Sequence, residues 1–109
     1  MNHPMLEKYG IKYPICGFDL PSGWEKLVDE LIAKLITVGW DKDLHQVKEK
    51  FGGLRFYVGY TTNEMEDMID AAEGASLGIC IACGSTENVT QASGFWIEYS
   101  CDECKKAKR

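Results

Sequence analysis

Cysteines in the last third of the chain are the residues whose spacing most clearly indicates chemistry. They form two C-x2-C pairs, and seventeen residues separate the pairs. The four positions are Cys80, Cys83, Cys101 and Cys104. Two thiolates three residues apart fit one tight turn, and two such turns supply the tetrahedral sulfur site that zinc prefers. The pattern predicts one structural Zn2+ ion, although spacing alone does not distinguish zinc from iron.

Other uses of a C-x2-C pair fit this sequence less well. A thioredoxin-like redox pair would leave the second pair unexplained. A zinc deaminase needs an H-x-E sequence, and neither His3 nor His45 has a glutamate two residues later. Four cysteine ligands also close the coordination shell, whereas catalytic zinc keeps one position open. Since no nucleophile motif or phosphate loop appears either, we predict that the protein is not an enzyme.

The cysteine count argues against disulfides. The chain has five cysteines, and it shows neither a secretory signal pattern nor an apolar stretch long enough for a membrane helix. We therefore expect a cytoplasmic protein with reduced thiols. Cys16, which lies far from the two pairs, is interpreted as a small buried hydrophobic residue.

The segment between the cysteine pairs predicts a short hairpin. Residues 89–92 and 95–99 read as strands on either side of Ser93-Gly94. A cysteine turn, a hairpin and a second cysteine turn make a zinc ribbon, predicted over residues 76–104. Zinc contributes about 10–16 kcal/mol to the folding of finger peptides, more than the whole stability of a small domain. We therefore expect residues 76–104 to lose their structure without metal.

An amphipathic helix is predicted over residues 22–38. Ser22 and Glu25 fit a capping box, and Gly39 supplies the stop. The apolar positions recur with the helical period, which predicts a core-facing stripe. The stripe consists of Trp24, Leu27, Val28, Leu31, Ile32, Leu35 and Ile36.

A β-hairpin is predicted next. Residues 45–51 and 54–60 flank Gly52-Gly53, a pair suited to a two-residue turn. The alternation places one set of side chains inside, namely Val47, Phe51, Leu54, Phe56, Val58 and Tyr60. The outer face then combines basic and aromatic side chains, namely Lys48, Lys50, Arg55 and Tyr57.

A second, acidic helix is predicted over residues 63–75, with Asn63 as its cap. Its apolar stripe consists of Met65, Met68, Ile69, Ala72 and Ala75. Its carboxylates are candidate partner-binding residues, namely Glu64, Glu66, Asp67, Asp70 and Glu73. Residues 56–104 hold nine acids and no Lys or Arg, whereas residues 1–55 hold eight of each sign. This imbalance favours a basic partner and disfavours nucleic acid on that side.

Together these patterns predict a single α+β domain over residues 1–109. An irregular N-terminal arm (1–20) precedes a helix–hairpin–helix core (21–75), in which the first helix packs on the hairpin. The zinc ribbon (76–104) and a basic tail (105–109) follow. The sequence leaves the oligomeric state open.

Several of these segments resemble a set of small proteins found in bacteriophages and prophages. The resemblance covers roughly residues 14–104 and is most specific over residues 48–57. It also rests on Gly23-Trp24, the turn at Cys80 and residues 96–101. In similar sequences the last ligand position is often histidine, which is Cys104 here. The resemblance implies a protein that acts inside a bacterial host cell.

Two functions follow from these expectations. The first is a non-enzymatic interaction protein whose acidic surface binds and inhibits or modulates a host protein, such as a defence or nucleic-acid-handling complex. The alternative is a nucleic-acid-binding zinc ribbon that serves transcription or replication through Lys48, Lys50, Arg55 and the 105–109 tail. A sequence pI of about 5.0 favours the first.

Overall fold

The chain has an α+β fold in which α-helices alternate with two small antiparallel sheets. The computed structural model describes residues 3–91 and 99–107. In chain order, the elements are α1 (Pro4–Tyr9), a 3-10 turn (Ser22–Trp24), α2 (Glu25–Thr37), β1 (Leu44–Lys50), β2 (Gly53–Val58), α3 (Asn63–Ser76), β3 (Val89–Gln91), β4 (Tyr99–Cys101) and α4 (Asp102–Ala107). Among the described residues, no helix combines the length and the apolar character that crossing a membrane requires.

Helix α2 presents the predicted apolar stripe to the core. Trp24, Val28, Ile32 and Leu35 are fully buried, because the 3.6-residue period places them on one face. The predicted capping box at the start of α2 is wrong. Ser22 opens the 3-10 turn instead, and no side chain caps the amides of α2.

The end of α2 follows the prediction. Gly39 has a φ of +94°, a conformation that glycine adopts without strain. This lets the Trp40 N–H donate to the Leu35 carbonyl at 3.0 Å and so close the last turn. The chain can then reverse direction into β1.

The predicted hairpin forms, but its turn lies one residue earlier than expected. Lys50 pairs with Gly53, so Phe51 and Gly52 are the turn residues. Their φ angles are +53° and +84°, and the Glu49 carboxylate accepts the Gly52 N–H at 2.7 Å.

Two residues predicted for the inner face of the hairpin are exposed, for two different reasons. Phe51 lies in the turn with 67% of its surface exposed, since the earlier turn removes it from the strand. Tyr60 lies beyond the end of β2 and is 72% exposed. The inner face keeps Val47, Leu54 and Phe56, all buried.

The N-terminal arm is more regular than predicted. Residues Pro4–Tyr9 form helix α1, because the His3 ring accepts the Met5 N–H and Pro4 suits the first helical position. Leu6 is fully buried in the core. Gly10, with a φ of +68°, ends the helix.

The later part of the arm runs alongside β1. The Val47 N–H donates to the Gly17 carbonyl at 3.1 Å, and the Asp19 N–H donates to the Val47 carbonyl at 2.8 Å. Cys16 lies at the start of this contact, and its side chain is exposed. The predicted burial of Cys16 is therefore wrong, because only its backbone faces β1.

Helix α3 covers the free edge of β2 with two side chains. The Ser76 hydroxyl accepts the Leu54 N–H and the Glu73 carboxylate accepts the Phe56 N–H, each at 2.9 Å. These side chains replace the neighbouring strand that a sheet edge otherwise lacks. The cap of α3 is Thr62, whose hydroxyl accepts the Met65 N–H, rather than Asn63.

Replacing Ser76 by alanine is expected to destabilise the protein by about 1–3 kcal/mol, since the buried Leu54 N–H would lose its acceptor. Urea denaturation would measure the change. Thr37→Ala is a matched control, because its hydroxyl also donates to a helix carbonyl but is exposed. We expect a change within about 0.5 kcal/mol for the control. Equal effects in the two variants would contradict the edge-covering role of Ser76.

Candidate metal centre

The first cysteine pair lies in the predicted tight turn, directly after α3. The Cys80 N–H donates to the Ser85 carbonyl at 2.8 Å, and the Gly84 N–H donates to the Cys80 carbonyl at 2.9 Å. Gly84 has a φ of +84°, which lets the turn close after the second cysteine. Cys80 is fully buried, whereas Cys83 is exposed.

The second pair lies at a junction between a strand and a helix. Cys101 is the last residue of β4, and Cys104 lies in the first turn of α4. The predicted second cysteine turn of a zinc ribbon is therefore wrong. Asp102 and Glu103 favour a helix start here, because acidic side chains stabilise helix N-termini. Helix α4 also takes in residues 105–107 of the predicted basic tail.

The short sheet between the pairs is present as far as the structure describes it. Val89 pairs with Cys101 and Gln91 with Tyr99 in an antiparallel register. The predicted turn at Ser93-Gly94 and most of the predicted second strand lie outside the described residues. The pairing places Cys101 opposite Val89, at the start of β3, and close to Cys83 of the first cysteine turn.

The structure brings all four predicted ligands together. Their Sγ atoms lie within 4.8 Å of one another, and those of Cys83 and Cys101 are 3.7 Å apart. A tetrahedral zinc site with bonds of about 2.3 Å separates its sulfurs by about 3.8 Å. A disulfide would instead need about 2.05 Å, and none of the five cysteines is in one. The cluster fits one tetrahedral metal ion.

The thiols of this cluster do not ionise independently. Burial raises the pKa of Cys80, but hydrogen bonds with the backbone of Cys101, Cys83 and Ala82 outweigh it and lower the pKa to about 6. Contact with the Cys80 thiol, and then with those of Cys101 and Cys83, raises the pKa of Cys104 to about 12. Ionisation of the Cys80 thiol is therefore favoured, whereas ionisation of Cys104 beside it needs a cation that balances the added negative charge.

Metal affinity is expected to fall steeply as the pH falls. A backbone hydrogen bond with Ser85 lowers the pKa of Cys83, but contacts with the thiols of Cys80 and then Cys101 raise it overall. Cys83 and Cys104 are thus protonated at neutral pH and must each lose a proton to bind metal. Each displaced proton weakens the metal affinity about tenfold for every unit by which the pH falls, so these two protons give a decrease of at least about a hundredfold. Competition with a chromophoric chelator across neutral pH measures the slope, and a pH-independent affinity would contradict it.

The 3-10 turn at the start of α2 supports the first cysteine turn through direct backbone contact. The Gly23 N–H donates to the Ile81 carbonyl at 3.0 Å, and the Ser22 hydroxyl donates to the Ala82 carbonyl at 2.9 Å. A Cβ on Gly23 would lie 2.6 Å from the Ile81 carbonyl carbon and still closer to the Cys80 carbonyl oxygen. Only glycine allows this approach.

This support is a functional feature that the sequence reasoning missed. The only signal was a glycine in the first turn of a strongly amphipathic helix, where it costs roughly 1 kcal/mol relative to alanine. The opposite side of the cysteine turn is tied to β4, since the Ile81 N–H donates to the Tyr99 carbonyl at 3.0 Å. The first cysteine turn is therefore held between the 3-10 turn that precedes α2 and strand β4.

The carboxylates proposed for partner binding occupy two flanks of α3. Glu64 and Asp67 lie toward α2, whereas Glu66 and Asp70 lie toward β2. These four side chains are exposed, and no ion pair between described residues involves them. Glu73 differs, because it is half-buried and binds the Phe56 N–H.

The basic residues of the hairpin lie on its outer face. Lys48 is directly opposite Arg55, and both are half-buried. Lys50 is exposed at the end of β1, next to the turn. The structure thus places the acidic and the basic candidate residues on different elements.

Comparisons of the chain with protein-family models, curated proteins and solved structures gave no significant match. The resemblance to phage proteins stays a prediction. What the protein does is therefore inferred from its own residues.

Proposed function

We propose that this protein is a non-enzymatic interaction module whose fold is stabilised by one structural zinc ion. Cys80, Cys83, Cys101 and Cys104 would hold the ion in a closed four-sulfur shell. Such a shell leaves no position for substrate or water, which favours a structural role over a catalytic one. Zinc analysis of the purified protein tests the metal: one zinc per chain and no visible absorption supports zinc, whereas a coloured protein containing iron contradicts it.

The interaction proposal rests on one observation, the exposed carboxylates of α3. Glu66 and Asp70 are four residues apart on the helix, and Glu64 and Asp67 are three apart, so each pair repels across one turn. No basic side chain among the described residues pairs with them. A cationic partner would convert this repulsion into attraction. We infer a protein partner with a basic surface. The resemblance to phage proteins implies that this partner is a host protein, which the chain would inhibit or modulate.

A pull-down from bacterial lysate, with and without nuclease, tests this function. The tagged protein is expected to retain a defined protein partner after nuclease treatment. The triple variant Glu66→Lys, Asp67→Lys, Asp70→Lys should lose that partner, whereas Cys16→Ser should keep it. Retention of DNA or RNA alone, sensitive to salt and nuclease, would contradict the proposal.

A second candidate function is nucleic-acid binding by the hairpin. The observation that favours it is the direct pairing of Lys48 with Arg55, since like charges opposite each other destabilise a sheet. Tyr57 and Phe51 are exposed beside them and offer aromatic surfaces for bases. Fluorescence anisotropy with single-stranded DNA and RNA distinguishes the candidates. Tight binding that Lys48→Glu weakens would favour the hairpin, and no binding at physiological salt favours the acidic surface.

A further inference from the structure

An open groove runs between helices α2 and α3, with a volume of about 470 Å³. Its floor is apolar and is formed by Leu27, Leu31, Met68, Ala71, Ala72 and Ala75. Leu31 and Ala72 are buried where the helices touch, whereas Ala71 and Ala75 are exposed and Leu27 and Met68 are half-buried. The groove therefore exposes apolar surface of these four side chains to water.

The groove exists because α3 carries short side chains along this flank. Ala71, Ala72 and Ala75 fill little of the space beside α2, so part of the apolar surface of Leu27 and Met68 stays accessible to water. Larger side chains at these positions would close the groove and bury the apolar surface of Leu27 and Met68. The small residues thus keep open a site that extends along α3 from Glu64 to Ala75.

Charged side chains line both rims of the groove. Glu30 and Lys34 stand on the α2 side, and Glu64 and Asp67 stand on the α3 side. The two rims together therefore carry three carboxylates and one ammonium group, with an apolar floor between the rims. A ligand that fits must be apolar on one face and cationic along its edges.

We propose that this groove binds an amphipathic helix with basic edges, presented by a partner protein. Its apolar face would enter between α2 and α3, and its Lys or Arg side chains would pair with Glu30, Glu64 and Asp67. From Glu64 to Ala75 the groove follows roughly 16 Å of α3, which matches about three turns of a bound helix. This inference rests on the proposed function and names the site and the partner's chemistry.

A designed peptide tests the groove directly. The probe is a fluorescein-labelled helical peptide of about four turns, with leucines on one face and lysines on the other. Fluorescence anisotropy is expected to show saturable binding to the zinc-loaded protein. A peptide of the same composition with its pattern scrambled should bind at least about tenfold more weakly. Equal binding of the two peptides would show that nonspecific charge attraction alone holds them, and this would overturn the proposal.

Two double variants on the same helix locate the site. Glu64→Lys with Asp67→Lys reverses the groove rim, and Glu66→Lys with Asp70→Lys makes the same charge change on the other flank. We expect the first to weaken peptide binding roughly tenfold or more and the second to change it less than about threefold. Ala71→Lys, at an exposed helix position, should also block the floor without loss of folding.

The outcomes separate this inference from the proposed function. Equal loss in both double variants would leave the acidic surface standing but overturn the groove. Unchanged binding in both would contradict the groove and remove α3 from the proposed function as well. Self-association of the protein that the rim variant abolishes would assign the groove to a second copy and overturn the proposed partner.

Discussion

Cys80→Ser is expected to abolish stoichiometric zinc binding and to unfold the chain from the first cysteine turn to α4. Cys80 is fully buried and supplies the sulfur that ionises most readily, so the cluster loses its best ligand. Zinc contributes about 10–16 kcal/mol to folding in small metal-binding domains, against a total stability of about 5–15 kcal/mol. The sheet of β3 and β4 has only two strands of three residues each, so its own contacts could not compensate for the loss of zinc.

Metal analysis and amide NMR spectra check this expectation. Signals from residues 80–91 and 99–104 should lose dispersion, and the Ser22–Trp24 turn should lose its protection against hydrogen exchange. Cys16→Ser is the matched control, because this thiol is exposed and outside the cluster. A Cys80→Ser protein that keeps one zinc and a native spectrum would contradict the assigned ligand set.

Gly23→Ala is expected to destabilise the zinc-loaded protein by about 3 kcal/mol, the upper range for overpacking. The new Cβ would lie 2.6 Å from the Ile81 carbonyl carbon, and backbone cannot move aside as a flexible side chain can. Either the first cysteine turn or the start of α2 must shift. The hydrogen bond from Gly23 to Ile81 would be lost with it. Urea denaturation at saturating zinc measures the change in unfolding free energy.

Gly74→Ala provides the control for Gly23→Ala. Gly74 lies in α3, and no atom outside the local chain comes within 4 Å of a Cβ placed there. Alanine is the better helix former, so this variant should be more stable by about 0.5–1 kcal/mol. Similar effects of the two substitutions would show that Gly23 has no special contact with the metal site.

The link between α2 and the metal site has a consequence for binding. The turn that opens α2 rests on the first cysteine turn, and α2 forms one wall of the groove. Loss of zinc should therefore loosen that wall near Leu27, which lies in the turn after Trp24. We expect chelation to weaken peptide binding to the groove even though no cysteine lines it.

Hydrophobic periodicity predicted the parts of the fold that local pattern decides. Five residues of the stripe are buried as expected, namely Trp24, Val28, Leu31, Ile32 and Leu35, whereas Leu27 is half-buried. Val47, Leu54 and Phe56 on the hairpin are also buried. The convergence of the four cysteine thiols was also predictable from their spacing. These features depend on residues close together in the chain, where sequence and geometry correspond directly.

Features that depend on distant contacts were not predictable in the same way. Ser22 looks like a helix cap, yet its hydroxyl binds Ala82, sixty positions away. The turn at Phe51-Gly52 is one residue early, because Leu54 and Phe56 must direct their amides to Ser76 and Glu73 of α3. Glu73 resembles its acidic neighbours in sequence, but the structure uses it inside the fold.

The second cysteine pair shows a different limit. C-D-E-C fits a tight turn as well as it fits the junction of a strand with a helix, since the spacing of three is shared by both. Asp102 and Glu103 lie in the first turn of α4 and favour the helix, but each stabilises it by only about 0.3–1 kcal/mol. Spacing therefore predicted which four thiols come together without predicting the element that carries Cys104.

Native mass spectrometry of the purified chain, before and after a strong chelator, tests the central claim most directly. We predict one zinc ion per chain with reduced thiols, and after chelation a metal-free protein whose charge states shift to those of a partly unfolded chain. Re-addition of one equivalent of zinc should restore the compact form. A metal-free chain that stays compact, or a compact chain that never carries metal, would contradict a structural zinc site.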